Sequence, residues 1–225
     1  MKVSVVIPAL NEEKNIGKCL ESLKNQKEKP YEIIVVDNSC KDKTAQIAKS
    51  FGVKVIKEKK QGISYARNAG FNAAKGDIIA RIDADTVAPT DWILNIKKDL
   101  KDKRVGAVFG PAYYLNFPYL FQISHLPSVY FFKIFRAYLK KHLLFGLNMA
   151  IRKSLWDKVK KDLCMDNKKV HEDFDLAIHL WTYTTNILFD KNLRVKTSPR
   201  KWKSAYSDIE YTRRLIRMLR SHDLG

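Results

Sequence analysis

The sequence of 225 residues predicts an α/β domain in which a mostly parallel sheet lies between helices. Short runs rich in Val and Ile recur along the chain, and helix-like stretches of Lys, Glu, Ala and Leu separate the earlier runs. Polar residues follow where several runs end. The predicted strands are Val3 to Ile7, Glu32 to Val36, Val53 to Ile56 and Ile78 to Ile82.

Composition allows one full hydrophobic core and indicates an anionic partner. Hydrophobic residues make up 45% of the chain, enough for a single domain over residues 1–225. The formal net charge is +18, which favours a phosphate-bearing partner such as a nucleotide, an anionic membrane or a nucleic acid. Charge alone does not choose among these.

The cysteines and the amino terminus indicate a cytoplasmic protein. Cys19, Cys40 and Cys164 are odd in number and widely spaced, so we expect neither disulfides nor a zinc site. Met1 to Ile7 moves directly into a strand-like run, without the long apolar region and cleavage site of a signal peptide. We therefore expect the first strand to be part of the fold.

The first helix is predicted to begin near Asn11. An asparagine there can cap the helix, with Glu12 and Glu13 in its first turn. Capping alone would explain these three residues. The apolar spacing predicts a buried face of Ile16, Cys19, Leu20 and Leu23.

Two further residues, Asp37 and Arg67, lie at predicted strand and helix ends where a ligand could bind. Asp37 follows the second strand and can accept hydrogen bonds from a ribose or a base, although Asp-Asn-Ser is also a common turn composition. Arg67 lies near the start of a helix that follows Gly62. A cation there opposes the helix dipole and needs a carboxylate or phosphate partner, unless it is simply solvated.

The fourth strand ends in two acids separated by one residue, Asp83-Ala84-Asp85. Open α/β sheets bind ligands at the carboxyl ends of their strands. Two carboxylates there can hold Mg2+ or Mn2+ together with the phosphates of a substrate. Acids also crowd turns for capping reasons, so the tripeptide alone is weak evidence.

Four stretches in this order and spacing resemble the family 2 glycosyltransferases of the GT-A fold. They are Pro8 to Glu13, Val35 to Ser39, Gly62 with Ala66 to Gly70, and Asp83 to Asp85. The resemblance implies an enzyme with a UDP- or GDP-linked sugar as donor and Mn2+ or Mg2+ as cofactor. Asp85 would be the main metal ligand with Asp83 beside it, and Arg67 would brace the site. The implied donor-binding residues are Pro8, Ala9, Leu10, Asn11, Glu12, Asp37, Arg67, Asp83, Ala84 and Asp85.

The second half resembles the acceptor side of the same family. Phe145 to Arg152 with Trp156 resembles the strand and helix that line the acceptor site, which implies acceptor contacts from Gly146, Asn148 and Trp156. Residues 1–111 would then bind the donor and residues 112–225 the acceptor.

The run His171 to Leu176 resembles the Glu-Asp element of the family. The resemblance implies that Asp173 is the catalytic base of an inverting reaction, with Glu172 beside it. From the residues alone, an acidic helix start is the simpler explanation of the pair, and only the family resemblance favours a catalytic role.

A long stretch without charges predicts contact with a membrane surface. No Asp, Glu, Lys or Arg occurs between Gly106 and Phe132. We interpret Phe117 to Leu144 as one or two amphipathic helices with a basic collar, because its prolines argue against a spanning helix. Helices packed on the sheet are the alternative. The collar consists of Lys133, Arg136, Lys140 and Lys141.

The arginine-rich tail from Arg213 to Arg220 is either a second membrane contact or a helix whose apolar side is core. We expect a peripheral protein on the cytoplasmic face of a membrane, with a carbohydrate or lipid-linked acceptor. Processive family members carry a Gln-X-X-Arg-Trp element, and Tyr211 to Leu215 departs from it, which favours transfer of a single sugar.

Two other classes of protein compete with an enzyme. A nucleic-acid-binding protein would explain the charge, but not the acids at Asp37, Asp83, Asp85 and Asp173, and no nucleic-acid-binding motif is present. A non-catalytic adaptor at a membrane surface could share the same fold.

Overall fold

A computed structural model describes residues 1–114, 126–166, 169–183, 186–198, 213–215 and 217–218. These parts of the chain form an α/β fold, as predicted. The strands are β1 (Val3–Ala9), β2 (Glu32–Asp37), β3 (Lys54–Lys57), β4 (Ile78–Ile82), β5 (Thr86–Val87), β6 (Ala107–Phe109), β7 (Ala112–Tyr114), β8 (Asn148–Arg152), β9 (Ile187–Phe189) and β10 (Val195–Thr197). The helices are α1 (Ile16–Lys24), α2 (Thr44–Ser50), α3 (Ile63–Ala73), α4 (Trp92–Asp99), α5 (Leu126–Leu139), α6 (Lys153–Val159) and α7 (Glu172–Leu180).

The main sheet has seven strands in the order β3-β2-β1-β4-β8-β6-β9. All neighbouring pairs are parallel except those of β8, which runs antiparallel to β4 and β6. The carboxyl ends of β1, β2 and β4 therefore meet at one edge of the sheet. This is the edge at which the sequence predicts the donor site.

Helices cover both faces of the sheet. Successive residues of β1 point to opposite faces, so that Val5 and Ile7 join one buried cluster and Val6 joins the other. Helices α1, α2 and α4 contribute to the first cluster, and α3, α5, α6 and α7 to the second. The buried face predicted for the first helix is confirmed as Ile16, Cys19, Leu20 and Leu23.

The predicted start of the first helix is wrong. Helix α1 begins at Ile16, after Asn15. Asn11 instead adopts a left-handed conformation with φ of 55°, and its Oδ1 accepts a hydrogen bond from the N–H of Lys41. The N–H of Glu12 donates to the Thr44 hydroxyl. Asparagine tolerates this conformation well, so the residue shapes a turn between β1 and α1 rather than capping the helix.

A second, three-stranded sheet has the order β5-β10-β7. Its strands have only two or three residues, too few for any hydrophobic pattern to predict them. Strand β5 begins directly after Asp85. The second sheet therefore fixes the segment that carries the two acids.

The helical prediction for Phe117 to Leu144 is confirmed for residues 126–139, which form α5. Residues 140–144 are not helical, and residues 117–125 lie outside the described ranges. None of the described helices is both long and apolar enough to cross a membrane. In the tail, Leu215 and Met218 are buried in the second cluster, so these two apolar side chains belong to the core.

Candidate active site

A cavity of about 900 Å3 lies at the carboxyl ends of β1 and β4. The turn after β1 forms one wall, the start of α3 forms another, and the segment after β4 forms the third. Most of the predicted donor-binding residues line it. The lining residues are Pro8, Ala9, Leu10, Glu12, Asn38, Gln61, Gly62, Ile63, Tyr65, Ala66, Asp83, Ala84, Asp85, Met165 and Asp166.

Asp83 and Asp85 follow the carboxyl end of β4, as the sequence predicts, and both line the cavity. Asp85 is 8% exposed, and its Oδ1 accepts a hydrogen bond of 3.4 Å from the hydroxyl of Thr197 in β10. Asp83 forms an ion pair of 3.4 Å with the guanidinium of Arg81. In the described residues no group of three or more His, Cys, Asp or Glu side chains is arranged to hold a metal ion. The pair alone suits a hard cation whose remaining ligands are water and phosphate oxygens.

Asn11 and Asp37 do not line the cavity, and both accept hydrogen bonds from backbone N–H groups of the turn after β2. The carboxylate of Asp37 accepts a hydrogen bond of 2.8 Å from the N–H of Cys40, within the turn after β2. Asn38, the next residue, donates to the Lys60 carbonyl and accepts from the N–H of Gly62. These bonds join the turn after β2 to the start of α3, and only Asn38 of the three lines the cavity.

Arg67 has the carboxylate partner that its place in α3 requires. Its side chain is fully buried, and its Nη1 lies 3.0 Å from Glu172 Oε2 and 2.5 Å from the Glu172 carbonyl oxygen. Arg81 binds the other oxygen, Glu172 Oε1, and also contacts Asp83. Although burial opposes it, the carboxylates of Glu172 and Asp83 raise the pKa of Arg81. A buried ionic network therefore connects the acid after β4 to the first turn of α7.

Asp173 lies next to this network and is free of its ion pairs among the described residues. Its two carboxylate oxygens accept hydrogen bonds from the N–H groups of Gly146 (2.8 Å) and Phe174 (3.0 Å). Burial and the neighbouring Glu172 carboxylate raise the pKa of Asp173 to about 6, against the opposing effect of the Gly146 N–H and Arg81. A carboxyl with that pKa can accept a proton at neutral pH.

Of the three predicted acceptor residues, only Gly146 reaches this region. A side chain at Gly146 would lie 3.0 Å from Arg81, so glycine lets the loop approach the network. Asn148 is fully buried and accepts a hydrogen bond from the indole N–H of Trp92. Trp156 is also fully buried, below Arg67, and its indole donates to Asn72. Asn148 and Trp156 therefore support the site from within the core and do not line an open surface.

Sequence reasoning missed four residues of the site. Arg81 lies within the apolar strand β4, and a charged residue in a buried strand requires a partner. That was the available signal. Asn38 offered only a common turn composition. Met165 and Asp166, which close the cavity from the second half of the chain, carried no recognisable pattern.

Comparison with known proteins agrees with this geometry. The family described as "Glycosyl transferase family 2" matches residues 4–159. A solved structure of a mannosyltransferase from Pyrobaculum calidifontis, in complex with GDP-Man and Mn2+, superposes with a TM-score of 0.78 at 20% identity, over 100% of this chain and 64% of that one. Glucosyl-3-phosphoglycerate synthase from Mycobacterium tuberculosis, with Mn2+, UDP and glucosyl-3-phosphoglycerate, gives 0.69 at 17% identity, over 100% and 81%.

Curated relatives carry related names. "Probable glycosyltransferase YdaM" of Bacillus subtilis is 29% identical over 90% of this chain and 52% of its own length. "Dolichol-phosphate mannosyltransferase" of Pyrococcus furiosus is 35% identical over 45% of this chain and 31% of its own. "Glycosyltransferase AglE" of Haloferax volcanii is 37% identical over 40% and 33%. The chain thus spans between about a third and about half of these relatives. Since the family match covers well over half of the sequence, the chain belongs to glycosyl transferase family 2 and has its GT-A fold.

Proposed function

We propose that this chain transfers a single sugar from a UDP- or GDP-linked donor to a hydroxyl or phosphate of an acceptor, with inversion at the anomeric carbon. One observation carries the proposal. The acids that face the donor cavity and the candidate base are joined by the contacts from Asp83 through Arg81 to Glu172. A donor and an acceptor would then meet over one rigid network.

The donor set of the cavity fits a divalent cation. Asp85 and Asp83 supply two hard carboxylate oxygens, and a diphosphate and water would supply the rest. When bound, Mn2+ or Mg2+ would neutralise the negative charge that develops on the departing nucleoside diphosphate. Pro8, Ala9 and Leu10 would contact the nucleoside, and their position in the lining of the same cavity supports this role.

Asp173 is the proposed catalytic base. Its carboxylate would accept the proton of an acceptor hydroxyl while that oxygen forms a bond to the anomeric carbon, and the bond from that carbon to the diphosphate oxygen breaks. The N–H groups of Gly146 and Phe174 orient the carboxylate. Glu172 is fully engaged by two arginines, so we assign it the role of holding Asp173 in place rather than of a second base.

We place the reaction in the cytoplasm, at a membrane surface, with a carbohydrate or lipid-linked acceptor. Cys19, Cys40 and Cys164 are free thiols, which is consistent with a reducing compartment. One relative is named for a lipid-linked substrate, dolichol phosphate. The acidic cavity wall does not suit a nucleic acid.

Release of nucleoside diphosphate tests the proposal. We would incubate the protein with UDP- and GDP-linked sugars, with Mn2+, Mg2+ or a chelator, and measure UDP or GDP produced by hydrolysis or transfer. Metal-dependent release from one donor is expected. A protein that binds these donors with metal but never releases the diphosphate, even with a range of lipid and sugar acceptors, would instead be the non-catalytic adaptor.

A further inference from the structure

Helix α5 exposes an apolar stripe along one side. Tyr130, Ile134 and Tyr138 are 57%, 65% and 65% exposed, and their spacing of four residues places them in one row. Large apolar side chains that are exposed singly need no explanation, whereas a continuous row on one helix marks a contact surface. Two of the three are tyrosines, which favour the boundary between lipid and water.

The charged residues of α5 and of the chain on either side of it are all positive. Lys133, Arg136 and Lys140 are exposed on the same helix or directly after it, and the sequence has no Asp or Glu anywhere in residues 103–156. An apolar row with a cationic border matches a bilayer that contains anionic lipids, where the apolar side chains enter the headgroup region and the cations meet the phosphates. A protein partner would need acids against each of these cations.

The opposite side of α5 packs directly against the region of the candidate base. Phe131 stacks on Phe174 with ring centroids 5.9 Å apart, and Phe132 meets Phe145 edge to face at 5.3 Å. Phe174 follows Asp173, and Phe145 precedes Gly146, which donates to Asp173. The helix thus lies between the base and the surface on which the stripe is exposed.

We infer that the stripe of Tyr130, Ile134 and Tyr138, with its border of Lys133, Arg136 and Lys140, is the surface by which the protein docks on an anionic membrane. Docking through this face places the loop of Gly146 and the start of α7 behind α5, about one helix diameter (~10 Å) from the lipid headgroups. The head group of a lipid-linked acceptor would then extend past α5 to Asp173 while its lipid chain stays in the bilayer. That last step rests on the proposed transfer reaction, whereas docking itself does not.

Co-sedimentation with vesicles tests the docking surface. The full chain is mixed with phosphatidylcholine vesicles, with and without phosphatidylglycerol, at low and high salt. Changing Lys133, Arg136 and Lys140 to Gln should weaken binding on the order of 100-fold at low salt, because each cation near an anionic surface contributes about 1 kcal/mol and 1.4 kcal/mol is tenfold. At high salt the parent should keep part of its binding through the apolar row, because salt does not screen that contribution. Changing Tyr130, Ile134 and Tyr138 to Ser should remove this remaining binding.

Matched variants elsewhere separate docking from general charge or hydrophobicity. Lys18, Lys49 and Lys101, all exposed, are changed to Gln, and Tyr31, Leu94 and Tyr183, also exposed, are changed to Ser. These controls should bind vesicles much more like the parent. The inference is overturned if the parent ignores phosphatidylglycerol vesicles at low salt, or if the controls lose as much binding as the α5 variants.

Two further readouts keep the outcomes distinct. Mn2+-dependent binding of UDP or GDP, measured on every variant, should be unchanged, which shows that the donor site is folded and isolates docking from the proposed transfer. Sedimentation velocity reports self-association. A dimer that the Ser variant abolishes, in a parent that does not bind vesicles, would assign the stripe to a second copy of the chain and overturn membrane docking.

Discussion

Among the described residues, Asp173 takes part in none of the ion pairs formed by Arg67, Arg81, Asp83 and Glu172, and its carboxylate accepts hydrogen bonds from two backbone N–H groups. A catalytic base needs a carboxylate that is held in position and whose negative charge is not neutralised by an ion pair. Glu172, one residue earlier, has its charge neutralised by Arg67 and Arg81. The two acids of one motif are therefore expected to act differently.

Replacement of Asp173 by Asn should separate binding from turnover. The amide keeps the size of the side chain but cannot take up a proton, so the rate of transfer should fall by about 10²–10⁴-fold. Donor affinity, measured by calorimetry with Mn2+, should stay near that of the parent. An Asn variant that transfers sugar at the parental rate would move the base elsewhere or indicate a phosphate acceptor, which needs none.

The raised pKa of Asp173 predicts how activity depends on pH. Only the ionised carboxylate can accept a proton, and its pKa is about 6. The value of kcat/KM should therefore be low below that pH, rise through it, and level off above pH ~7. Rates measured with saturating metal at each pH give the profile. Constant activity down to pH ~4.5 would contradict the assignment.

Glu172 should matter most for stability. Its carboxylate is 8% exposed and lies between two guanidinium groups that are 0% and 4% exposed. Removing one member of a buried ionic network leaves charge uncompensated and typically costs about 3–5 kcal/mol. Urea unfolding of Glu172→Gln should show a loss of this order. Asp157→Asn, which breaks the exposed pairs to Lys153 and Lys160, should cost less than about 1 kcal/mol and serves as the control.

At the scale of elements, α3 must approach the sheet closely to bring Arg67 to Glu172. Gly70 lies in this helix, and a Cβ there would come within 2.3 Å of Val6 Cγ1 in β1 and 2.9 Å of Val36 Cγ2 in β2. The sequence showed Gly70 within a family motif but gave no physical reason for it. The structure supplies the reason, which is the short distance between helix and strands.

Alanine at Gly70 should therefore destabilise the protein although alanine favours helices. The gain in helix propensity is at most about 1 kcal/mol, whereas overpacking of a core costs about 1–3 kcal/mol. Gly17→Ala in α1 is the matched control, since its Cβ would meet neighbours no closer than 4.0 Å, and it should stabilise slightly. If Gly70→Ala unfolds at the same urea concentration as the parent, the core accommodates the added Cβ and the proposed overpacking is wrong.

For the whole molecule, the local sequence pattern predicted the helices and strands of the first half well, but it predicted poorly which distant segments contact each other. Strand β4 and the buried face of α1 were predicted residue for residue, because apolar periodicity depends only on neighbours along the chain. The network of Arg67, Arg81 and Glu172 joins residues up to 105 positions apart. A pattern within one segment does not show which distant residue a side chain will contact. For the same reason the sequence did not predict that Asn148 and Trp156 are buried, since their partners Trp92 and Asn72 are also distant in the chain.

The distribution of charge supports the same account at this scale. A chain of net charge +18 attracts anions over its whole surface, yet acids line the donor cavity. A diphosphate would meet carboxylates there and needs a cation between them. The central claim is therefore that nucleotide binding depends on a metal held by Asp85.

Calorimetric titration of UDP and GDP, with Mn2+ and with a chelator, tests this claim most directly on the parent, on Asp85→Ala and on Asp91→Ala as a control from the same segment. Because Asp85 lies beyond the end of β4, in the wall of the cavity, we expect Asp85→Ala to fold normally. The account predicts Mn2+-dependent binding of at least one nucleotide by the parent and by Asp91→Ala, and its loss in Asp85→Ala. Equal affinity with and without Mn2+, or unchanged metal dependence in Asp85→Ala, would contradict it.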